Sequence, residues 1–149
     1  MRMETNTKVY KAPAILIIDD EESICEFFTD LFEVYEVEVD TEMSGTSGLQ
    51  RALKKRYDLI FLDVMLDDMN GIDVLKAIKL NNADTKVVMI SAYLTEEVIE
   101  KALKMGADGY LYKPVALRDI VSITFRFIEP ARLTGKSGND NNSKSIYEA

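Results

Sequence analysis

Two kinds of apolar run alternate along the chain. The first is short and unbroken. Ala14-Ile15-Leu16-Ile17-Ile18 and Leu59-Ile60-Phe61-Leu62 contain no polar residue. Runs of that length read as strands buried on both faces, as at the centre of a parallel sheet. The second kind is spaced. Ile24, Phe27, Phe28, Leu31 and Phe32 follow the i, i+3, i+4, i+7 spacing of one helix face. Read this way throughout, the pattern predicts strands over 14–18, 36–40, 58–63, 86–90 and 109–112. Helices are predicted from Ser23, from the Ser44–Gly48 turn to Arg56, from Ile72 to Asn81, after Thr95, and over 117–128. The inner faces are assigned to Leu49, Ala52 and Leu53 in the second helix and to Ile72, Leu75, Ala77 and Ile78 in the third. In the fourth they are assigned to Val98, Ile99, Ala102, Leu103 and Met105. Asn70-Gly71 marks a turn, Thr95 a helix start, and Gly106 a helix stop.

Five strand–helix pairs at this spacing predict an α/β domain with a doubly wound, five-stranded parallel sheet of the flavodoxin-like kind. In the order 2-1-3-4-5 the topological switch lies between strands 1 and 3, and ligands bind there outside the strand C-termini. The sequence alone does not fix that order. Strand 1 runs into Asp19-Asp20-Glu21-Glu22, and strand 3 ends at Asp63. Strands 4 and 5 end at Ser91 and Lys113. One crevice would then collect Asp19, Asp20, Asp63, Ser91 and Lys113. Carboxylates gathered at one edge repel unless a cation or bound group offsets them. Glu21 and Glu22 read simply as anions at a helix start.

Composition narrows the chemistry. The chain has 149 residues, 47% of them hydrophobic and 30% charged, which suits one globular domain. No apolar stretch approaches the ~20 residues that span a bilayer, and no signal peptide is evident, so a cytoplasmic location is expected. The single Cys25 agrees with a reducing compartment. Histidine is absent, which excludes His-ligated metals, Ser-His or Cys-His catalysis, and a phosphohistidine on this chain. The net charge is −8; the termini 1–13 and 130–149 carry +2 and +1, leaving −11 on residues 14–129. Nucleic-acid binding through that domain is not expected. Residues 1–12 read as a flexible segment, 13–129 as the domain, and 130–149, rich in Gly, Ser and Asn, as a linker or disordered tail.

Over residues 13–129 the chain resembles the receiver domain of two-component response regulators. Ile18-Asp19-Asp20-Glu21 is similar to that family's acidic pair. Leu62-Asp63-Val64-Met65, with Gly71 eight residues past the aspartate, resembles its phosphoacceptor loop. Ser91-Ala92 resembles its Ser/Thr-Ala motif, and Gly109-Tyr110-Leu111-Tyr112-Lys113-Pro114 its aromatic switch and Lys-Pro motif. One departure stands out: Asp67 occupies a position that is usually proline in the family. Its presence should loosen the loop and add negative charge.

The resemblance implies that Asp63 takes a phosphoryl group from a histidine kinase or a histidine phosphotransfer protein. It implies Mg²⁺, or Mn²⁺ in its place, bound by Asp20, Asp63 and the Met65 carbonyl, with Asp19 holding a metal water. Lys113 and Ser91 would contact phosphate oxygens, Ala92 would leave room for the entering group, and Tyr110 would turn inward as the switch. Pro114 would follow a cis bond. The product would be altered binding of a downstream protein, or a phosphorylation-dependent homodimer, with no membrane partner. The chain would catalyse only its own phosphorylation and slow self-dephosphorylation. It could be a stand-alone receiver or the receiver fragment of a longer regulator.

Taken singly, each residue has a plainer reading: Ser91 as a strand-end hydroxyl, Tyr110 as edge packing, Lys113 as a solvated lysine. Two rivals share the architecture. A nucleotide- or flavin-binding domain needs a phosphate cradle after strand 1, where this chain has four acids. A Mg²⁺-dependent phosphohydrolase typically carries Asp-x-Asp, where this chain has Met65 as the second residue past Asp63. Met65 and Tyr93 are expected to flank the attacking water and, lacking an amide or carboxylate, to slow hydrolysis. Ile24 and Val115, joined by Cys25, are expected to form an exposed apolar patch where the kinase docks.

Overall fold

The computed structural model of the protein describes residues 11–129; except for Lys11 and Ala12, the two expected polar ends lie outside the described residues. Ten elements alternate: β1 (Ala14–Ile18), α1 (Glu22–Phe32), β2 (Glu38–Glu42), α2 (Gly45–Lys54), β3 (Leu59–Asp63), α3 (Gly71–Asn81), β4 (Lys86–Ser91), α4 (Glu96–Lys104), β5 (Gly109–Tyr112) and α5 (Leu117–Phe127). The five strands pair in parallel in the order β2-β1-β3-β4-β5. Strands β1 and β3 are buried at every residue, as their unbroken apolar runs require.

The two faces of the sheet separate by strand parity. Leu16, Ile18, Ile60, Leu62, Val87 and Met89 point to the side covered by α2, α3 and α4. Ile15, Ile17, Leu59, Phe61, Val88 and Ile90 point to the side covered by α1 and α5. On that second side Phe28 lies against Phe61, with ring centroids 4.7 Å apart. β1 and β3 are thus covered on both faces, and the buried carboxylates Asp19 and Asp63 stand at their C-terminal ends.

Several boundaries and faces differ from the sequence reading. Strand β2 runs over Glu38–Glu42 rather than 36–40, because Ala14 at the start of β1 pairs with Glu38. It is an edge strand with no buried residue, so its weak alternation marked the element and not its register. Helix α2 stops at Lys54. Phe27 stands 38% exposed, and Leu53 and Leu103 are each 49% exposed. Those three lie at the margins of stripes whose centres, Phe28, Ala52 and Ala102, face the sheet.

Candidate functional site

The C-terminal edge of the sheet gathers the charged residues. Asp19 follows β1, Asp63 ends β3, and Lys113 follows β5. Backbone bonds set their level. Asp19 N–H donates to the Glu42 carbonyl at 3.0 Å, Val64 N–H to that of Ile90 at 3.2 Å, and Lys113 N–H to that of Ser91 at 3.0 Å. Gly71 brings α3 against this edge. Its N–H donates to the Val64 carbonyl at 2.7 Å, and a Cβ there would stand 2.1 Å from the Asp63 carbonyl oxygen. Only glycine permits that approach.

Asp19 and Asp63 are buried, at 0% and 3% exposure. Asp63 Oδ1 accepts from Met65 N–H at 3.0 Å, and Oδ2 accepts from Lys113 Nζ at 2.9 Å. Asp19 Oδ1 accepts from Glu21 N–H at 2.9 Å. Asp19 Oδ2 lies 2.9 Å from Lys113 Nζ without hydrogen-bond alignment, and it has no other partner. Lys113 therefore faces three carboxylates, the third being Glu21, whose Oε1 accepts from Nζ at 2.6 Å.

The electrostatics register a shortage of positive charge. Burial pushes Asp19 up from its ordinary 3.8 to about 6, and the nearby Asp63 charge adds to this against the pull of Lys113 and the Glu21 amide. Asp20 is also raised, first by burial and then by Asp67 and Asp63. Burial alone would lower Lys113; the carboxylates of Glu21, Asp19 and Asp63 reverse that and hold it charged. Asp19, Asp20 and Asp63 each offer a carboxylate oxygen, and those oxygens lie within 4.8 Å of one another. An orphaned buried acceptor inside an all-oxygen cluster of that width fits a hard divalent cation.

The remaining residues are distributed around this centre. Ser91 is 1% exposed, and its Oγ accepts from Tyr93 N–H at 3.1 Å. Ala92 is exposed beside it. Tyr110 points outward at 41% exposure and meets Tyr112 edge-on, with ring centroids 6.0 Å apart. The Lys113–Pro114 bond is cis. Met65 and Tyr93 are exposed, while Ile24 and Val115 are half-buried against the α1/α5 core. Cys25 does not join an exposed patch. It is buried, its Sγ donates to the Asp19 carbonyl at 3.5 Å, and burial followed by the Asp19 charge pushes its thiol up to about 11.

Two residues gained a place that sequence reasoning did not give them. Glu21, read as a helix-start anion, pairs with Lys113 across 92 positions. Asp68, unremarked, accepts from the first turn of α2. For Glu21 the only available signal was its adjacency to the acidic pair.

The sequence model described as "Response regulator receiver domain" matches residues 15–125. Among curated proteins, the response regulator ArlR of Staphylococcus saprophyticus is 34% identical over 108 residues, 72% of this chain and 49% of that protein. The transcriptional regulatory protein CusR of Escherichia coli is 34% identical over the same share of this chain and 48% of its own length. The chain thus spans about half the length of these relatives. A solved CheY-like receiver domain from Methanospirillum hungatei superposes with a TM-score of 0.72 at 30% identity, covering 78% of this chain and 93% of that one. No helix among the described residues is long and apolar enough to cross a membrane. With its sheet order, its acidic edge and these matches, the chain belongs to the response regulator receiver domain family.

Proposed function

We propose that Asp63 is the phosphoacceptor of a two-component relay. The observation that carries this reading is a buried carboxylate at the end of the central strand, between an acidic pair and a lysine that stays charged. An Asp63 carboxylate oxygen attacks the phosphorus of a phosphohistidine on a histidine kinase or phosphotransfer protein. The N–P bond breaks, an acyl phosphate forms on Asp63, and the leaving imidazole keeps its electron pair and takes a proton from solvent. Asp19, Asp20, Asp63 and the Met65 carbonyl are the groups that would hold Mg²⁺. When bound, that ion offsets charge on the transferring oxygens. Lys113 supplies a fixed positive charge to one phosphoryl oxygen, and the Ser91 hydroxyl donates to another. Moving Ser91 towards the phosphate breaks its bond with Tyr93 N–H, and Tyr110 turns into the space vacated.

In this reading the chain is a cytoplasmic signalling receiver and not a turnover enzyme. Its output is changed affinity for a downstream protein or for a second copy. Ile24 and Val115, half-buried beside the crevice, are the apolar contacts offered to the donor protein. Incubation with radiolabelled phosphodonor and Mg²⁺ is the test. Label should appear on the intact protein and be absent from Asp63→Asn; undiminished labelling of that variant overturns the assignment.

A further inference from the structure

The loop between β3 and α3 carries the Met65 carbonyl, and the two acids Asp67 and Asp68 stand side by side in it. Its base is closed by a Met65–Asn70 bridge and by the Asn70 side chain, which accepts from Ile72 N–H at 2.8 Å. Its tip is held by something else. The Asp68 carboxylate leaves the loop and accepts from Gly45 N–H at 2.7 Å, Thr46 N–H at 2.9 Å and the Thr46 hydroxyl at 2.7 Å. These are the first two amides of α2. The third, Ser47 N–H, goes to the local cap Ser44 Oγ at 3.1 Å. One helix start is thus shared between a local cap and a carboxylate from another loop. Gly45 makes the approach feasible, because a Cβ there would lie 2.9 Å from Met69 Cβ.

Charge explains why the attachment runs through Asp68 and not its neighbour. Asp67 stands near Asp20 and raises it, so that carboxylate meets like charge. Asp68 meets three donors and the positive end of a helix. Those donors, the Thr46 hydroxyl first and then the two amides, lower Asp68 to about 2.

We propose that Asp68 is a positioning residue for the metal site: by capping α2 it pins the loop tip and so holds the Met65 carbonyl ready for the cation. The inference rests on the receiver reading above. Linkage makes it reciprocal, so metal binding stabilises the α2 attachment as much as the attachment favours metal.

The test is titration of the full chain with magnesium chloride, followed by calorimetry and amide NMR shifts, with a thermal melt of each variant. Asp68→Ala should bind Mg²⁺ about five- to tenfold more weakly, the range a lost cap supports. Thr46→Val should weaken binding in the same direction, although it leaves every charge in place. Ser44→Ala should lower the melting temperature and leave Mg²⁺ affinity unchanged, since it uncaps α2 without touching the loop. If Asp68→Ala and Thr46→Val lose only thermal stability, the positioning role is overturned. If Asp68→Ala weakens Mg²⁺ and Thr46→Val does not, the effect is bulk charge and the proposal again fails. A wild-type chain that binds no Mg²⁺ would instead overturn the metal assignment beneath it.

Discussion

Two acidic clusters sit beside the same sheet, and they are built on opposite terms. On the outer side of β2, Glu38, Asp40 and Glu42 are met by Arg51, Lys55 and the Tyr57 hydroxyl. Burial pushes Asp40 upward, but Tyr57, Lys55 and Arg51 outweigh it and hold the carboxyl below its ordinary range. At the strand C-termini, Asp19, Glu21 and Asp63 stand around one lysine, Asp20 and Asp67 add their charge nearby, and Asp19 and Asp20 are raised. In the sequence the first cluster holds three acids and the second five, and acidity alone marks neither as a site. What separates them is compensation: the first is a finished ion-pair network, and the second leaves a buried oxygen unmatched. A deficit of that kind at a buried oxygen cluster suits residues that could hold a cation.

Phosphate labelling should divide the clusters most sharply. Asp63→Asn should incorporate none, and Asp40→Asn should incorporate as much as the parent chain, measured with the same donor and time. Loss of labelling in both would collapse the distinction. The next effect concerns the lifetime of the phosphoryl group. In the proposed reading Met65 and Tyr93, both exposed, flank the path of the attacking water, and neither side chain carries an amide or carboxylate to orient it. Met65→Asn should speed hydrolysis about tenfold, less than the roughly 10²–10⁴-fold of a full general base because an amide can only orient water. A phosphorylated parent that decays faster than the variant would contradict this.

Stability should respond with opposite signs. Asp19 has a folded pKa of about 6 against 3.8 when unfolded, so the native state holds that proton more tightly. The contribution of Asp19 to stability is therefore fullest below about pH 4 and is lost as pH rises towards 6. Without divalent metal, Asp19→Asn should be more stable than the parent at pH 7 by about 1–3 kcal/mol, and the gain should vanish near pH 4. Denaturant melts at the two pH values measure it; a loss at pH 7 refutes it. Asp40→Asn should do the reverse, losing about 1 kcal/mol at pH 7 through its weakened hydrogen bonds. The smallest shift is expected at the rim. Ile24→Ala should slow phosphotransfer from a cognate kinase several-fold, while its half-buried site lowers stability by less than the roughly 2–5 kcal/mol of a full core truncation. A full core-sized loss with unchanged transfer would assign Ile24 to packing alone.

The sheet was readable in advance because β1 and β3 are too apolar to be anything else, and because parity within each strand serves two covered faces. Asp19, Asp63, Ser91 and Lys113 were readable because each ends or follows a strand, where α/β folds keep their polar chemistry. Positions at the margin of a stripe were not. Phe27, Leu53 and Leu103 fit the helical spacing as well as their buried neighbours do, and only the width of the facing sheet excludes them. Cys25 went the other way, drawn under α1 by its contact with the Asp19 carbonyl. Asp68 carried no local signal, since the amides that bind it lie 22 and 23 positions earlier.

An ammonium has three N–H bonds, and around Lys113 three carboxylate oxygens stand at 2.6–2.9 Å. Glu21 and Asp63 take two of those N–H bonds, and Asp19 Oδ2 is held by charge alone. On the proposed reading, a phosphoryl oxygen arriving on Asp63 would be a fourth claimant on that charge and would compete with the residents. Asp19 cannot turn to water, and Asp63 is the arrival point. Glu21, 55% exposed, can exchange the lysine for solvent at little loss. The order of departure would thus follow accessibility, and the first group released would be the carboxylate just ahead of α1, on the outside of the molecule.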